Sequence, residues 1–507
     1  MPVPPIVLQS KSRSTHYFIA TAIITSFIIW FIFKLIYPYP FITIDSYYYI
    51  GAAYENANAG SWPIGYSKFI RIVGYLSHSP TLLVTIQYLV LQLSFIYLFL
   101  SIRNIFQIGK WSSLILFIFL FLNPLFIYGS NHIMSDIVFC SFAICWICQL
   151  LWIIKRPRLY MIFTQAFLLT TIFTIRYTAL YFPLFTIMVF IISNQSTWCK
   201  ISGIGLTLLL LGAFIQFTRI KMEEVGGIRQ FSSASGWKQA SNALYMYGHI
   251  AAVDNTPVPD KFKVLHQLTK NYFKGPHTYV DLYSIDKEFT TGSFYVAAYE
   301  SPLMQYLRTK QGENADVFEF KNIAPFGPFF NSYGTYLITH YPLPYIQYVI
   351  LPDIMAYLLP FPEIYGTPND LYYLWSNHLG VVAKNWFEFT TITILTNFIK
   401  IRGIILSPYP LLFFIIHVIY ILSLIAILLQ KHYKKWGNII RKSYFLLVLI
   451  CTINFLFTIL SAASVLRFQF TFIIIEFVIA LISIKLIMES AARRSNNHDS
   501  YNGMKKV

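Results

Sequence analysis

Apolar runs of about 20 residues, the length that crosses a bilayer, recur along this chain, as at Phe18 to Tyr37, Leu83 to Ile102 and Tyr444 to Ala463. Lipid offers no partner to an open backbone, so such runs must be helices. The rest of the chain does not dilute them. Hydrophobic residues make up 56% and charged residues 12%, against roughly 25% charged in a soluble domain, and mean hydropathy is +0.57. The first run follows Lys11 and Arg13 as a signal peptide would. It is too long for one and no small-residue cleavage site follows, so it reads as a span.

Spans at about 18–37, 81–102, 112–129, 136–154, 159–175, 177–193, 201–218, 407–429, 444–463 and 469–488 give roughly ten crossings of an all-α polytopic membrane protein. The formal net charge of +17 would suit nucleic acid, but the cations sit at helix ends. With the N-terminus cytoplasmic, the inner connections collect Lys11, Arg13, Lys155, Arg156, Arg158 and the basic cluster from Lys431 to Lys442, while the short outer turns hold mainly Arg176 and Arg467. This asymmetry predicts a plasma or inner membrane protein with both termini inside. Tyr336 to Pro362 is apolar enough for a further span, yet it carries His340, Pro342, Pro344, Pro352 and Asp353. A crossing there would put the Lys431 to Lys442 cluster outside, so an interfacial helix, or one packed on the bundle, is expected. The five cysteines fall in or beside spans and imply no disulfide framework.

The expected organisation is a membrane module over residues 1–218, a non-cytoplasmic domain over 219–406, a second membrane module over 407–488 and a disordered tail over 489–507. The middle domain reads as mainly helical, with room for a short hairpin, and capped by interfacial helices near Tyr336 to Phe361 and Leu371 to Ile399.

The first outer loop, Pro38 to Pro80, carries I-T-I-D-S-Y-Y-Y-I-G-A-A-Y. A helix starting at Asp45 would place Asp45, Tyr48, Tyr49 and Ala52 on one face. An aspartate there also serves simply as a helix cap. Further on, S-W-P-I-G-Y-S-K-F contains Tyr66 and Lys68, and a helix from Ile64 to Leu76 would set Lys68 and Arg71 on one side. Such a helix suits lipid headgroups or a lipid phosphate at the interface. His132 and Asp136 are four residues apart and read as a structural pair in preference to a metal site.

The Asp-Ser-x-x-Tyr element at Asp45, the Pro-x-Gly-Tyr-x-x-Phe element at Pro63 and a long segment after the seventh span resemble the GT-C superfamily of polytopic glycosyltransferases. The branch of protein O-mannosyltransferases and lipid A aminoarabinose transferases is the nearer resemblance. Asn123 to Phe139 resembles the superfamily's turn between the third and fourth spans, with Asp136 in the acidic position. Ile175 to Leu180 resembles the following outer turn with its Arg176, and Ala462 to Phe468 the last one with its Arg467. Many relatives read Glu-Arg-Tyr in that last turn, where this chain has Leu466 and Phe468 around the arginine. The resemblance covers mainly the first six spans and the last three, and its motifs are short.

It implies a GT-C-like bundle that moves a sugar from a polyprenyl-phosphate donor to a glycan, lipid or protein acceptor on the non-cytoplasmic face, without metal or other cofactor. Asp45 is the expected general base, since the attacking hydroxyl must lose a proton. Arg176 and Arg467 are the expected partners of the departing phosphate, with Tyr48, Tyr49, Tyr66, Lys68, Arg71, His132 and Asp136 as further binding residues. Two rival readings exist. A polysaccharide polymerase or ligase would depend on large-loop arginines such as Arg219, Arg229 and Arg308. A transporter or flippase would need ionisable groups at mid-depth, which are sparse in these spans.

Overall fold

The computed structural model describes residues 5–252, 254, 256–274, 294–312, 319–360, 378–387, 397–461 and 464–504. These residues are helices and their connections, with one isolated parallel bridge between Phe41 and His132. Among the described residues, eight helices are long and apolar enough to cross a membrane: Thr15–Ile36, Pro80–Phe106, Lys110–Ser130, Ser135–Lys155, Thr197–Gly226, Ile401–Leu429, Asn438–Ser461 and Leu466–Glu489. The chain therefore has a multi-pass helical membrane architecture.

Two of the ten expected crossings fall short of that criterion. Tyr160–Ile175 and Tyr177–Ile192 are apolar but shorter. Sixteen residues in the first of them rise about 24 Å, less than the ~30 Å of a hydrocarbon core. The two are consecutive, so counting both or neither leaves every later helix on the same side.

Local chemistry explains where the spans break. Lys110–Phe121 ends before Asn123, whose side chain accepts the N–H of Leu125 at 3.0 Å and caps a second piece starting at Pro124. Asn397–Leu406 and Tyr409–Leu429 are likewise separated at Ser407 and Pro408. Thr197–Gly226 runs unbroken past residue 218 and stops at Gly227, whose φ of +72° is the left-handed turn that ends a helix. The last helix is continuous over Phe470–Met504, through the segment expected to be a disordered tail.

Ser135–Lys155 is the hub of the bundle: 83% of its apolar window is buried, against 22% for Thr15–Ile36 and for Thr197–Gly226. Lipid gives apolar side chains no reason to prefer protein, so polar contacts and close packing must join the helices. Ser26 donates to Gln92 at 3.0 Å, the Trp146 indole to Thr186 at 3.1 Å and the Trp152 indole to Ser101 at 2.9 Å.

The intermediate segment forms its own core from Trp237, Leu244, Tyr245, Leu303, Phe330 and Tyr333. Its two principal helices, Ala234–Ile250 and Gly327–His340, touch backbone to backbone. A Cβ on Gly334 would lie 2.7 Å from the Gln239 carbonyl, and one on Gly236 would fall on the carbonyl oxygen of Gly327. No strand occurs among the described residues.

The apolar stretch after Tyr336 packs on the bundle. Leu351–Leu358 lies against Tyr409–Leu429 and Asn438–Ser461, and the Tyr357 hydroxyl donates to Glu476 at 3.2 Å. Of the interfacial helices expected near Tyr336 to Phe361 and Leu371 to Ile399, residues 361, 371–377 and 388–396 lie outside the described residues. Between them, His378–Phe387 packs against Ile44–Tyr54.

Candidate functional site

The loop after the first span is fixed to the start of the hub helix by its own backbone. Phe41 donates its N–H to the carbonyl of Asn131 at 2.8 Å and accepts the N–H of Ile133 at 3.1 Å. The Asn131 side chain donates to the carbonyl of Tyr39 at 3.0 Å and accepts from Lys34 at 3.0 Å. The helix Ile44–Tyr54 follows at once. Thr43, not Asp45, is its N-cap, in a reciprocal box with Ser46: the Thr43 N–H donates to the Ser46 hydroxyl at 2.9 Å and the Ser46 N–H to the Thr43 hydroxyl at 3.4 Å. The expected helix start at Asp45 is thus one residue late, and the cap reading does not apply. Thr43 satisfies the helix end, which leaves the Asp45 carboxylate free to bind elsewhere.

It turns to Arg467, 422 residues away, whose Nη1 donates to Asp45 Oδ2 at 2.9 Å. The same nitrogen lies 3.8 Å from Asp136 Oδ2, and Arg176 Nη1 donates to the other oxygen of Asp136. Two carboxylates and two guanidiniums from four separate stretches of sequence therefore form one cluster. The side-chain exposures are 27% for Asp45, 14% for each arginine and 5% for Asp136, so the cluster opens towards Asp45. Phe468 lies between the arginines, its ring centre 4.3 Å from the Arg176 guanidinium and 5.0 Å from that of Arg467. A ring face there stabilises both cations.

Beside the cluster is a small cavity, lined among others by His132, Asp136, Arg402 and Arg467. The Arg402 side chain is 2% exposed, with its guanidinium 4.8 Å from the Phe41 ring centre. Sequence reasoning passed over this residue because it lies in an apolar run at the edge of a span. A buried arginine in such a run is costly and so informative. Its helix, Asn397–Leu406, divides two environments. Arg402 and Leu406 line the cavity that the charged cluster borders, while Ile401 and Ile405 line a neighbouring apolar groove with Ile29, Ile32, Phe33 and Ile36 of the first span. Tyr128 borders both.

The other expected residues divide by location. His132 lines the cavity but does not pair with Asp136. Its ring stands edge-on to Phe41 at 4.8 Å, because residues 131–134 form a turn and the helix begins only at Ser135. Burial, and then the charges of Arg402 and Arg467, push its pKa down to about 3, so it is a neutral imidazole. Tyr49 shares a hydrogen bond with Ser135 at 3.1 Å. Tyr66 donates to Gln87 at 2.5 Å, and Gln87 donates in turn to the carbonyls of Ser130 and His132. These two tyrosines frame the turn and stand behind the cluster.

Tyr48 stacks on Trp62 with centroids 4.4 Å apart. Lys68 donates to the side chains of Asn56 and Asn58 at 2.8 and 2.9 Å, and Arg71 to the carbonyl of Ala53 at 3.0 Å. Both cations hold the turn after Ile44–Tyr54, and none of these bonds reaches the cavity. Of the large-loop arginines, Arg308 donates to the carbonyl of Tyr299 at 2.8 Å and Arg229 lies 3.9 Å from Glu223, while Arg219 sits on Thr197–Gly226. Among the described residues no three His, Cys, Asp or Glu side chains converge as a metal-ligand set. No family model, curated protein or solved structure matches the chain, so its chemistry rests on this geometry.

Proposed function

We propose that the protein is a GT-C-type glycosyltransferase that moves a sugar from a polyprenyl-phosphate carrier to an acceptor hydroxyl on the non-cytoplasmic face of the membrane. The observation that carries this reading is the adjacency of a carboxylate, fixed guanidiniums and a lipid-facing groove. Asp45 meets Arg467 at 2.9 Å, and Arg467 lines a cavity whose wall also holds Arg402, one residue from the apolar groove.

A lipid-linked sugar has three parts, and each finds suitable chemistry here. The isoprenoid tail fits the groove along Ile29, Ile32, Phe33 and Ile36. Its phosphate fits between Arg402 and Arg467, with the neutral His132 alongside. The sugar then lies towards the more exposed Asp45. Asp45 accepts the proton of the acceptor hydroxyl while that oxygen bonds to the anomeric carbon. The bond from the anomeric carbon to the phosphate oxygen breaks, and polyprenyl phosphate leaves with the electron pair. Inversion follows from a single displacement. Arg467 exchanges its contact with Asp45 for the charge growing on the leaving phosphate, where fixed donors in a partly dry site are most effective.

The polymerase or ligase reading is weaker, because Arg308 and Arg229 are engaged within the intermediate segment. Transfer from a radiolabelled polyprenyl-phosphate sugar, in membranes containing wild type or Asp45→Asn at matched abundance, tests the proposal. Removing a general base lowers the rate by about 10²–10⁴-fold. Unchanged transfer by the variant would remove Asp45 from the mechanism, and no transfer by wild type with any such donor would remove the transferase reading.

A further inference from the structure

The turn that carries Arg467 is held from outside the membrane bundle proper. Asn242, on Ala234–Ile250, donates its amide to the carbonyl of Ser461 at 3.3 Å. Asp353, on Leu351–Leu358, accepts the N–H of Ser464 at 2.7 Å. Ser461 ends one span, and Arg467 lies three residues after Ser464 in the short helical turn Leu466–Gln469. Both holding side chains are buried, at 3% and 1% exposure. A buried carboxylate spent on a backbone N–H makes a strong, charge-assisted bond, and burying it at all is costly.

The helix that presents Asp353 is itself anchored more deeply. One turn on, Tyr357 donates to Glu476 Oε1 at 3.2 Å, and His417 Nδ1 lies 2.6 Å from Glu476 Oε2. Ionisable groups inside a bundle are expensive and are retained where they do something. Here Glu476, on the same helix as the Arg467 turn leads into, and His417, on Tyr409–Leu429, fix the inserted helix against two spans. The inserted helix thus grips the final span below the turn and the turn itself above it. None of these residues belongs to the charged cluster, yet together they fix the backbone from which Arg467 reaches Asp45.

We propose that Asn242 and Asp353 are positioning residues that set the Arg467 turn, and so make the alignment of Arg467 with Asp45 depend on the docking of the intermediate segment. The claim about catalysis rests on the transferase reading above, whereas the claim about alignment does not. A misplacement of the order of 1 Å in a reacting group costs roughly 100-fold in rate.

The test has two readouts on the full-length protein. The first is the coupling between Asp45 and Arg467, taken from the unfolding temperatures of Asp45→Asn, Arg467→Gln and the double variant in detergent. It is measured again with Asp353→Ala, Asp353→Asn or Asn242→Ala in the background. Coupling should be present in the wild-type background, lost with Asp353→Ala, reduced with Asn242→Ala and kept with Asp353→Asn, whose amide oxygen still accepts the Ser464 N–H. The second is sugar transfer: Asp353→Ala should lower it about 100-fold, and adding Arg467→Ala should lower it no further. Coupling that survives both alanine variants, or is absent from wild type, overturns the proposal whatever the transfer assay gives. Additive losses of transfer overturn the catalytic part. Coupling lost as expected with no transfer by wild type leaves the positioning role standing and removes the transferase reading. Should Asp353→Ala fail to accumulate, Asn242→Ala carries both readouts.

Discussion

Asp136 accepts from one arginine and faces another, and that double engagement makes it the structural centre of the charged cluster. With only 5% of its side chain exposed, it neutralises charge where water cannot. Asp136→Ala leaves the half-buried Arg176 without its carboxylate and should cost about 3 kcal/mol, the lower end of the penalty for breaking one side of a buried pair. Thermal unfolding in detergent reads this as a lower melting temperature, and Asp136→Ala combined with Arg176→Met should recover much of the loss. A double variant no more stable than Asp136→Ala would show that the pair is not what the aspartate stabilises. The contact of Phe468 to both guanidiniums uses the ring face and needs no hydroxyl. Asp45, Asp136, Arg176 and Arg467 were each legible as charges at helix ends. Their convergence was not, since nothing in a sequence ties residue 45 to residue 467. Spacing also misled at His132: four residues from Asp136 implies one helix face only if a helix covers both, and the helix begins at Ser135.

Helix ends and close approaches decide what each element presents. Thr43 and Ser46 close the start of Ile44–Tyr54, which frees the Asp45 carboxylate one residue inside it. In the intermediate segment, Ala234–Ile250 and Gly327–His340 touch so closely that Gly236 has no room for a side chain. Gly236→Ala should push the two helices apart and destabilise the segment by about 1–3 kcal/mol, as overpacking does. Limited proteolysis of this segment should then speed up relative to wild type, whereas Gly60→Ala, where a Cβ meets nothing within 4 Å, is the matched control. Equal proteolysis of wild type and Gly236→Ala would show that the close contact does not hold the helices. The short pair Tyr160–Ile175 and Tyr177–Ile192 shows the limit of reading spans from hydropathy. Apolar character marks a helix that avoids water, and only helix length and packing tell whether it crosses.

The whole molecule brings the loop after the first span, the turn at residues 131–134, the Arg176 turn and the Arg467 turn to one end of the bundle. The basic cluster from Lys431 to Lys442 fills the connection between two later spans, after Leu429, and the first turn of the helix from Asn438, and should face the cytoplasm. Impermeant thiol reagents should therefore label Glu55→Cys in intact cells and reach Lys434→Cys only after permeabilisation. The reverse pattern would invert the protein and move the charged cluster to the cytoplasmic face. The five native cysteines are buried or half-buried, so background labelling should be low. By itself the sequence determined the class: apolar runs leave the backbone no choice but helices, and cations at helix ends set an expected orientation, because both depend only on local solvation. Tertiary structure alone decided that Arg402 lines the cavity, that Lys68 and Arg71 brace a turn, and that Asn242 and Asp353 hold the Arg467 turn. Each of those assignments depends on which distant backbone a side chain meets, and only packing fixes that.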